Sequence, residues 1–309
     1  MMRTAVASAP IALFVYNRPT HAAATLAALR GNELATESDL YVFSDGAKGE
    51  TDGPAVAAVR ALVRAIAGFR SVEVFEKPRN QGLAASIIAG VSQVLAKRNQ
   101  VIVLEDDIVT SPYFLRYMNQ ALDRYRDTPR VFSIGGYNPP EHVMRFPRGY
   151  SRQVYFNPRC CSQGWATWRD RWEKADWNVA RYDSFRRDPV AQRAFNEGGE
   201  DLTDTLIAER EGRMESWAIR WAFTHFLQHA VAVYPVRSYV DNIGHDGSGV
   251  HAPSQILRND LSRALPAVEF PPEVQVDPEV MRAFRRYYFV RAQLRALRRF
   301  LLRMFGRAT

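Results

Sequence analysis

The sequence has only two cysteines, and they are adjacent, Cys160 and Cys161. Neighbouring cysteines seldom bridge each other, so a disulfide-stapled scaffold is excluded and two thiols in a reducing cytoplasm are expected. No apolar run reaches the roughly 18–20 residues that span a bilayer. The opening stretch MMRTAVASAPIALFVYNRP has an apolar core of only IALFVY before Asn17 and Arg18, and it reads as a first strand, not a signal peptide. Internal repeats and low-complexity linkers are missing too. Beyond Glu279 there is no carboxylate at all, against nine arginines, and without those nine the net charge of +8 falls to −1. The body is therefore nearly neutral, which argues against a nucleic-acid partner, since such enzymes spread basic residues around their cleft.

What is present is alternation. PIALFVYN, DLYVFSDG, SVEVFEKP, VIVLEDD and RVFSIGGYN read as strands. PTHAAATLAALRG, GPAVAAVRALVRAIAGF, LAASIIAGVSQVLAKR and SPYFLRYMNQALDRYRD fall between them as helices. The first has Pro19 near its start and Gly31 at its end; the fourth has Ser111 as N-cap. This spacing predicts right-handed crossovers and an α/β fold, a mostly parallel sheet with helices on both faces. The second half loses the rhythm. NPRCCSQGWATWRDRWEKADW is rich in tryptophan and turn residues. Two helices, GEDLTDTLIAER and ESWAIRWAFTHFLQHA, then lead through a strand, VAVYPV, to the Gly-rich DNIGHDGSGVH.

Ligands of such sheets bind at the carboxyl ends of the strands. Polar residues gather there: Asn17-Arg18, Ser44-Asp45-Gly46, Lys77 to Asn80, and Glu105-Asp106-Asp107. Three adjacent carboxylates at the end of a buried strand repel one another unless something of opposite charge sits against them. Oxygen donors of this kind suit Mg²⁺ or Mn²⁺. The pleat puts Glu105 and Asp107 on one face and Asp106 on the other.

VIVLEDDIVTSPYFLRYMNQAL resembles the E-D-D element of the N-acetylglucosaminyltransferase I family, a variant of the D-x-D motif of GT-A glycosyltransferases. PIALFVYNRP, YVFSDGAKGE and NQGLAASIIAGV are similar to the nucleotide-binding half of those enzymes and of glycosyltransferase family 2. The resemblance implies a Rossmann-like GT-A domain over residues 1–275, with a nucleotide-binding half at 1–107 and an acceptor half at 108–275. It implies transfer of a sugar from a nucleotide-diphosphate donor, a UDP-sugar by expectation, to a glycan or lipid-linked acceptor, with inversion, in bacterial surface polysaccharide synthesis. Asp107 would coordinate the metal. Glu105 and Asp106 would contact the ribose, the donor sugar or the metal's water shell. Asp45 would bond the base, lined by Tyr16 and Asn17. Arg18 and Lys77 are candidate diphosphate partners on charge.

Inverting chemistry needs a carboxylate base near the acceptor hydroxyl. Glu215, beside Trp217 in GRMESWAIRW, resembles the family's acid–tryptophan element, with Asp201 and Asp204 as rivals. Trp165 in QGWATW resembles an acceptor-side turn, with core packing as its competing role; Trp217 is its partner on the acceptor side. His245 and His251 are candidates for contact with the donor and the metal, respectively, on a loop whose glycines permit closure. A nucleotidyltransferase remains as an alternative, although NRPTHAAAT lacks the glycine-rich loop such enzymes carry after the first strand; a non-catalytic nucleotide-sugar-binding module is the other. Residues 276–309 read as a separate basic amphipathic helix. On an anionic membrane surface it would hold a cytoplasmic protein at the inner face of the plasma membrane.

Overall fold

A computed structural model describes residues 8–246 and 257–289. The first half follows the expected alternation. β1 (Ile11–Val15) leads to α1 (Pro19–Arg30), β2 (Asp39–Ser44) to α2 (Gly53–Arg64), β3 (Ser71–Glu76) to α3 (Leu83–Lys97), and β4 (Gln100–Glu105) to the short β5 (Ile108–Thr110) and α4 (Phe114–Tyr125). β6 (Val131–Gly135) is followed by β7 (Val154–Asn157), β8 (Trp165–Trp168) and the helices α5 (Arg169–Trp172), α6 (Tyr182–Arg186), α7 (Pro189–Phe195), α8 (Leu202–Arg210) and α9 (Trp217–Leu227). β9 (Val231–Pro235) and β10 (Val240–Asn242) complete the strands, and residues 278–289 form a last helical stretch.

Eight strands make one sheet in the order β3-β2-β1-β4-β8-β6-β9-β7. β3, β2, β1 and β4 are mutually parallel, β8 runs antiparallel between β4 and β6, β9 is parallel to β6, and β7 is antiparallel to β9. Strands β1, β2, β4 and β6 are nearly all apolar and buried, as expected when both faces are covered. One face packs on α1, α2 and α4, the other on α3 and α9 with a tryptophan-rich cluster. β8 lies in the tryptophan-rich stretch whose turn residues masked it in the sequence, and β7 ends at the first residue of that stretch, Asn157. The fourth helix starts at Phe114, not at Pro112. The Ser111 N–H donates to the Tyr239 carbonyl (2.8 Å), which draws Ser111 toward the β5–β10 ribbon and away from the cap position.

The boundary expected at residue 276 falls inside packed structure. Asp277 accepts from the N–H groups of Glu279 and Val280, and Val280, Met281, Phe284 and Tyr287 are buried in the main core. Phe284 meets the rings of Tyr155 and Tyr234, and Arg285 pairs with Glu200 at 2.6 Å. Apolar residues spent on this core are not available to a lipid surface. Residues 290–309, with six of the nine arginines, lie outside the described residues, and so does the rest of the membrane expectation. Among the described residues no helix is long and apolar enough to cross a membrane.

One buried group sets a pH limit on this core. His225 of α9 has Nδ1 at 2.9 Å from the Trp221 carbonyl and Nε2 at 2.9 Å from Ser133 Oγ. A carbonyl only accepts, so Nδ1 carries the proton and Nε2 accepts from the serine. Burial pushes the ring's pKa down to about 4. As pH falls, the unfolded chain therefore takes up this proton first, and stability present above about 6.5 is lost toward pH 4. Urea titrations at pH 7 and pH 4.5 should differ by on the order of 2 kcal/mol from this group. His225→Gln should lose less over the same interval; an equal loss would place the acid sensitivity elsewhere.

Candidate active site

The parallel register brings the predicted residues to one sheet edge. Phe14 pairs with Glu105, Val15 with Ser44, and Ser44 with Glu76. Tyr16-Asn17-Arg18, Asp45, Lys77 and the acid cluster therefore emerge side by side. The antiparallel pair β5–β10 closes the edge, with Val109 opposite Asp241 and Ile108 opposite Asn242.

The group standing against the three carboxylates is Arg18, at the N-terminus of α1. Its guanidinium bonds Asp106 Oδ1 and lies 3.0 Å from Asp107 Oδ2. Arg18 is thus committed to the acid cluster. Asp106 faces inward. It accepts from the Tyr16 N–H (3.2 Å), its own carbonyl accepts from Thr25 Oγ1 (2.8 Å), and it is buried. Burial raises its pKa, while Arg18 works in the opposite direction. Its place is that of a clamp between β1, α1 and β4.

Glu105 is different. Its pKa is pushed up to about 8, first by burial and then by the charges of Asp107 and Asp106, against Arg18 and a hydrogen bond from Trp217. Asp106 and Asp107 share the single guanidinium of Arg18, so the cluster has more carboxylates than cationic partners. Asp107 sits toward the opening, and no described residue bonds its Oδ1. Gly244, two residues past β10, approaches so closely that a Cβ there would lie 2.1 Å from Asp107 Oδ2. Any side chain at 244 must displace that carboxylate.

Asp45 is turned into the protein. Its carboxylate accepts from the N–H groups of Gly46 (2.9 Å), Gln81 (2.9 and 3.1 Å) and Gly82 (3.1 Å). It orders the turn that starts α3, which departs from the expected contact with a base. Asp52, which sequence reasoning missed, stands where a contact to Tyr16 and Asn17 is made. It accepts from Tyr16 Oη (2.7 Å) and Asn17 Nδ2 (3.1 Å). Its position before Pro54 reads as a helix cap, yet it makes no cap bond. Arg60 of α2 was missed as well; it reaches the Lys77 carbonyl at 2.6 Å. The Lys77 side chain is half-buried at the same edge.

The second half of the chain meets this edge through residues 215–217. Glu215 is exposed. Its carboxylate lies 3.2 Å from where a Cβ on Gly82 would be, so a residue larger than glycine would crowd it; Gly82 also has φ +82°. Ser216 caps α9 through the Ile219 N–H, and Trp217 donates to Glu105. Of the rivals, Asp201 is held by both guanidinium arms of Arg159 at 2.7 and 3.2 Å, and Asp204 is exposed on α8.

Trp165 is not an acceptor-side surface residue. It is fully buried, stacked on Trp217 at 5.0 Å and on Trp172 at 5.7 Å, because β8 is an interior strand of the sheet. Trp217 is itself nearly enclosed, and its contribution is to hold Glu105. His251 lies outside the described residues, and the His245 side chain is likewise not described. The turn that carries His245 is tied to α1 by His21 Nε2 and Asp246 at 3.1 Å, a contact no sequence signal announced.

A family model described as Glycosyl transferase family 2 matches residues 11–183, more than half of the chain. No curated protein matches. Among solved structures, a mannosyltransferase, PcManGT from Pyrobaculum calidifontis in complex with GDP-Man and Mn²⁺, is 16% identical with a TM-score of 0.37, over 54% of this chain and 48% of its own. S. aureus TarS is 10% identical with a TM-score of 0.39, over 75% and 36%. A UDP-glucose pyrophosphorylase complexed with UDP-glucose is 12% identical with a TM-score of 0.31, over 54% and 78%. The chain spans about half the length of the first and about a third of the second. Likenesses this distant carry no weight for its substrates.

Proposed function

The chain belongs to glycosyl transferase family 2, and from that premise we propose that it moves a sugar from a UDP-sugar to a hydroxyl of a glycan or lipid-linked acceptor, with inversion, using Mn²⁺ or Mg²⁺. Family membership supports glycosyl transfer; the nucleotide, the acceptor, the metal and the stereochemistry are the finer parts of the proposal.

The donor set suits such an ion. It offers carboxylate oxygens only, and a nearby cation would offset the charges of Asp107 and Asp106 that, after burial, raise the pKa of Glu105. Among the described residues no group of three His, Cys, Asp or Glu is arranged to hold a metal. Asp107, with Glu105 behind it, would therefore hold the ion together with donor phosphate oxygens and water. When bound, the ion stabilises charge on the departing diphosphate.

The remaining steps belong to the chain. Tyr16, Asn17 and Asp52 line the end of β1 where the nucleoside would lie, and Asp45 keeps the 80–82 turn in place beside it. Glu215 takes the acceptor's proton as that oxygen attacks the anomeric carbon, and the bond from that carbon to the diphosphate breaks on the opposite face. What supports Glu215 and the acid cluster acting in one reaction is the segment 215–217. It brings Glu215 onto Gly82 at one end and Trp217 onto Glu105 at the other. Release of UDP from UDP-sugars, measured with Mn²⁺ and after exhaustive EDTA treatment, tests the whole. Release should require the metal, and undiminished release in EDTA would remove it from the mechanism.

A further inference from the structure

A second concavity opens in the acceptor half, with a volume of about 840 Å³. Its walls come from the stretches 138–150, 236–238 and 258–263, and four guanidiniums, of Arg145, Arg237, Arg258 and Arg263, line it. Two of these are accounted for. Arg258 pairs with buried Asp241, and Arg263 with Glu141 at 2.7 Å. The remaining lining carboxylate, Asp260, accepts from the Ser262 N–H and hydroxyl. Arg145 and Arg237 have no carboxylate partner among the described residues; Arg237 makes one long bond, 3.5 Å, to the Arg263 carbonyl. Asn259, also in the lining, has a buried Nδ2 without a partner among the described residues. Phe146 and Tyr150, stacked at 5.4 Å, add an aromatic wall.

Like charges gathered in a concavity favour a counter-anion, and guanidiniums suit phosphate or carboxylate by their forked donors. An aromatic wall suits the C–H face of a sugar. The cleft is also joined to the acid cluster. From Ser238, in its lining, the chain runs through β10 to Gly244 at Asp107, six residues that reach at most about 20 Å. That is the span of a few sugar units.

We propose that this cleft is a binding subsite for an anionic stretch of the acceptor glycan, bearing phosphodiesters or uronates, a few units away from the hydroxyl that receives the sugar. The assignment rests on the transfer reaction proposed above and adds the acceptor's charge to it. It requires the full chain to bind a short oligogalacturonide or an inorganic polyphosphate in preference to a neutral maltooligosaccharide, with affinity that falls as salt rises.

Isothermal titration of these three probes against the full chain tests it. The basic stretch after residue 289 attracts polyanions too, so the comparison is between two variants of equal charge change. Arg145→Glu/Arg237→Glu should weaken binding of the preferred polyanion by roughly 100-fold, the effect of two charged hydrogen-bonding groups. Arg295→Glu/Arg298→Glu, with the same change of net charge, should weaken it by less than about threefold, since the proposal gives the cleft and not the overall charge the larger share of binding. Equal losses in the two variants, or equal affinity for the neutral probe, overturn the proposal. The better of the two anionic probes identifies the acceptor's charged group. UDP release by the same preparations is an independent readout. With UDP release intact, binding that ignores residues 145 and 237 overturns the subsite and leaves transfer standing. Cleft-dependent binding in a protein that releases no UDP from any UDP-sugar overturns the acceptor role.

Discussion

Asp107→Ala should abolish sugar transfer and Mn²⁺-dependent binding of the nucleoside diphosphate while the protein stays folded. The carboxylate is the more exposed of the two aspartates in the acid cluster, and Gly244 and Arg18 both approach its Oδ2. Its removal takes away a charged ligand from a set that contains few, a loss of several kcal/mol of transition-state stabilisation and about a thousandfold or more in rate. The fold should tolerate the change for a physical reason. Arg18 keeps Asp106 as its partner, and Glu105 loses one of the charges that raise its pKa. Thermal unfolding therefore serves as the control, with UDP release and a Mn²⁺-dependent UDP titration as the readouts. A variant that keeps a tenth of the wild-type rate would move the metal away from Asp107.

Glu215→Gln should lower turnover by roughly 10²–10⁴-fold with donor binding little changed. Glutamine preserves shape and most hydrogen bonding but cannot take the proton. The position is favourable for the experiment because Glu215 is exposed, so packing losses should be small. Steady-state rates at saturating donor separate the two effects. A fall in donor affinity at constant turnover would mark Glu215 as a binding group over Gly82 instead. Near-full turnover would leave Asp204 as the open rival, since Asp201 is locked to Arg159.

Much of this sheet edge was legible because a parallel sheet imposes one rule on every strand, that the carboxyl ends gather on one side. Tyr16, Asn17, Asp45, Lys77 and the acid cluster could be placed together from four apolar runs and the residues that end them. Glu215 and Trp217 could be singled out from the helix start that carries them. The direction in which each side chain points was another matter. Asp45 and Asp52 are both acids in turns after β2, yet the first spends its oxygens on backbone N–H groups of residues 46, 81 and 82, and the second bonds Tyr16 and Asn17. Trp165 resembled an acceptor-side residue until β8 was seen to run between β4 and β6.

By itself, then, the sequence determined the α/β alternation, the edge at which the polar strand ends gather and the acidic end of β4, because periodicity and strand polarity are local properties of the chain. The tertiary structure decided what neutralises those acids and what meets them. Arg18 reaches Asp106 and Asp107 across some 88 residues of chain, Gly244 reaches Asp107 across 137, and Trp217 reaches Glu105 across 112. The same holds for the cleft of Arg145, Arg237, Arg258 and Arg263, whose residues come from three separate stretches. A charge's partner is fixed by which strands pair and how closely their loops pack, and no local pattern encodes that.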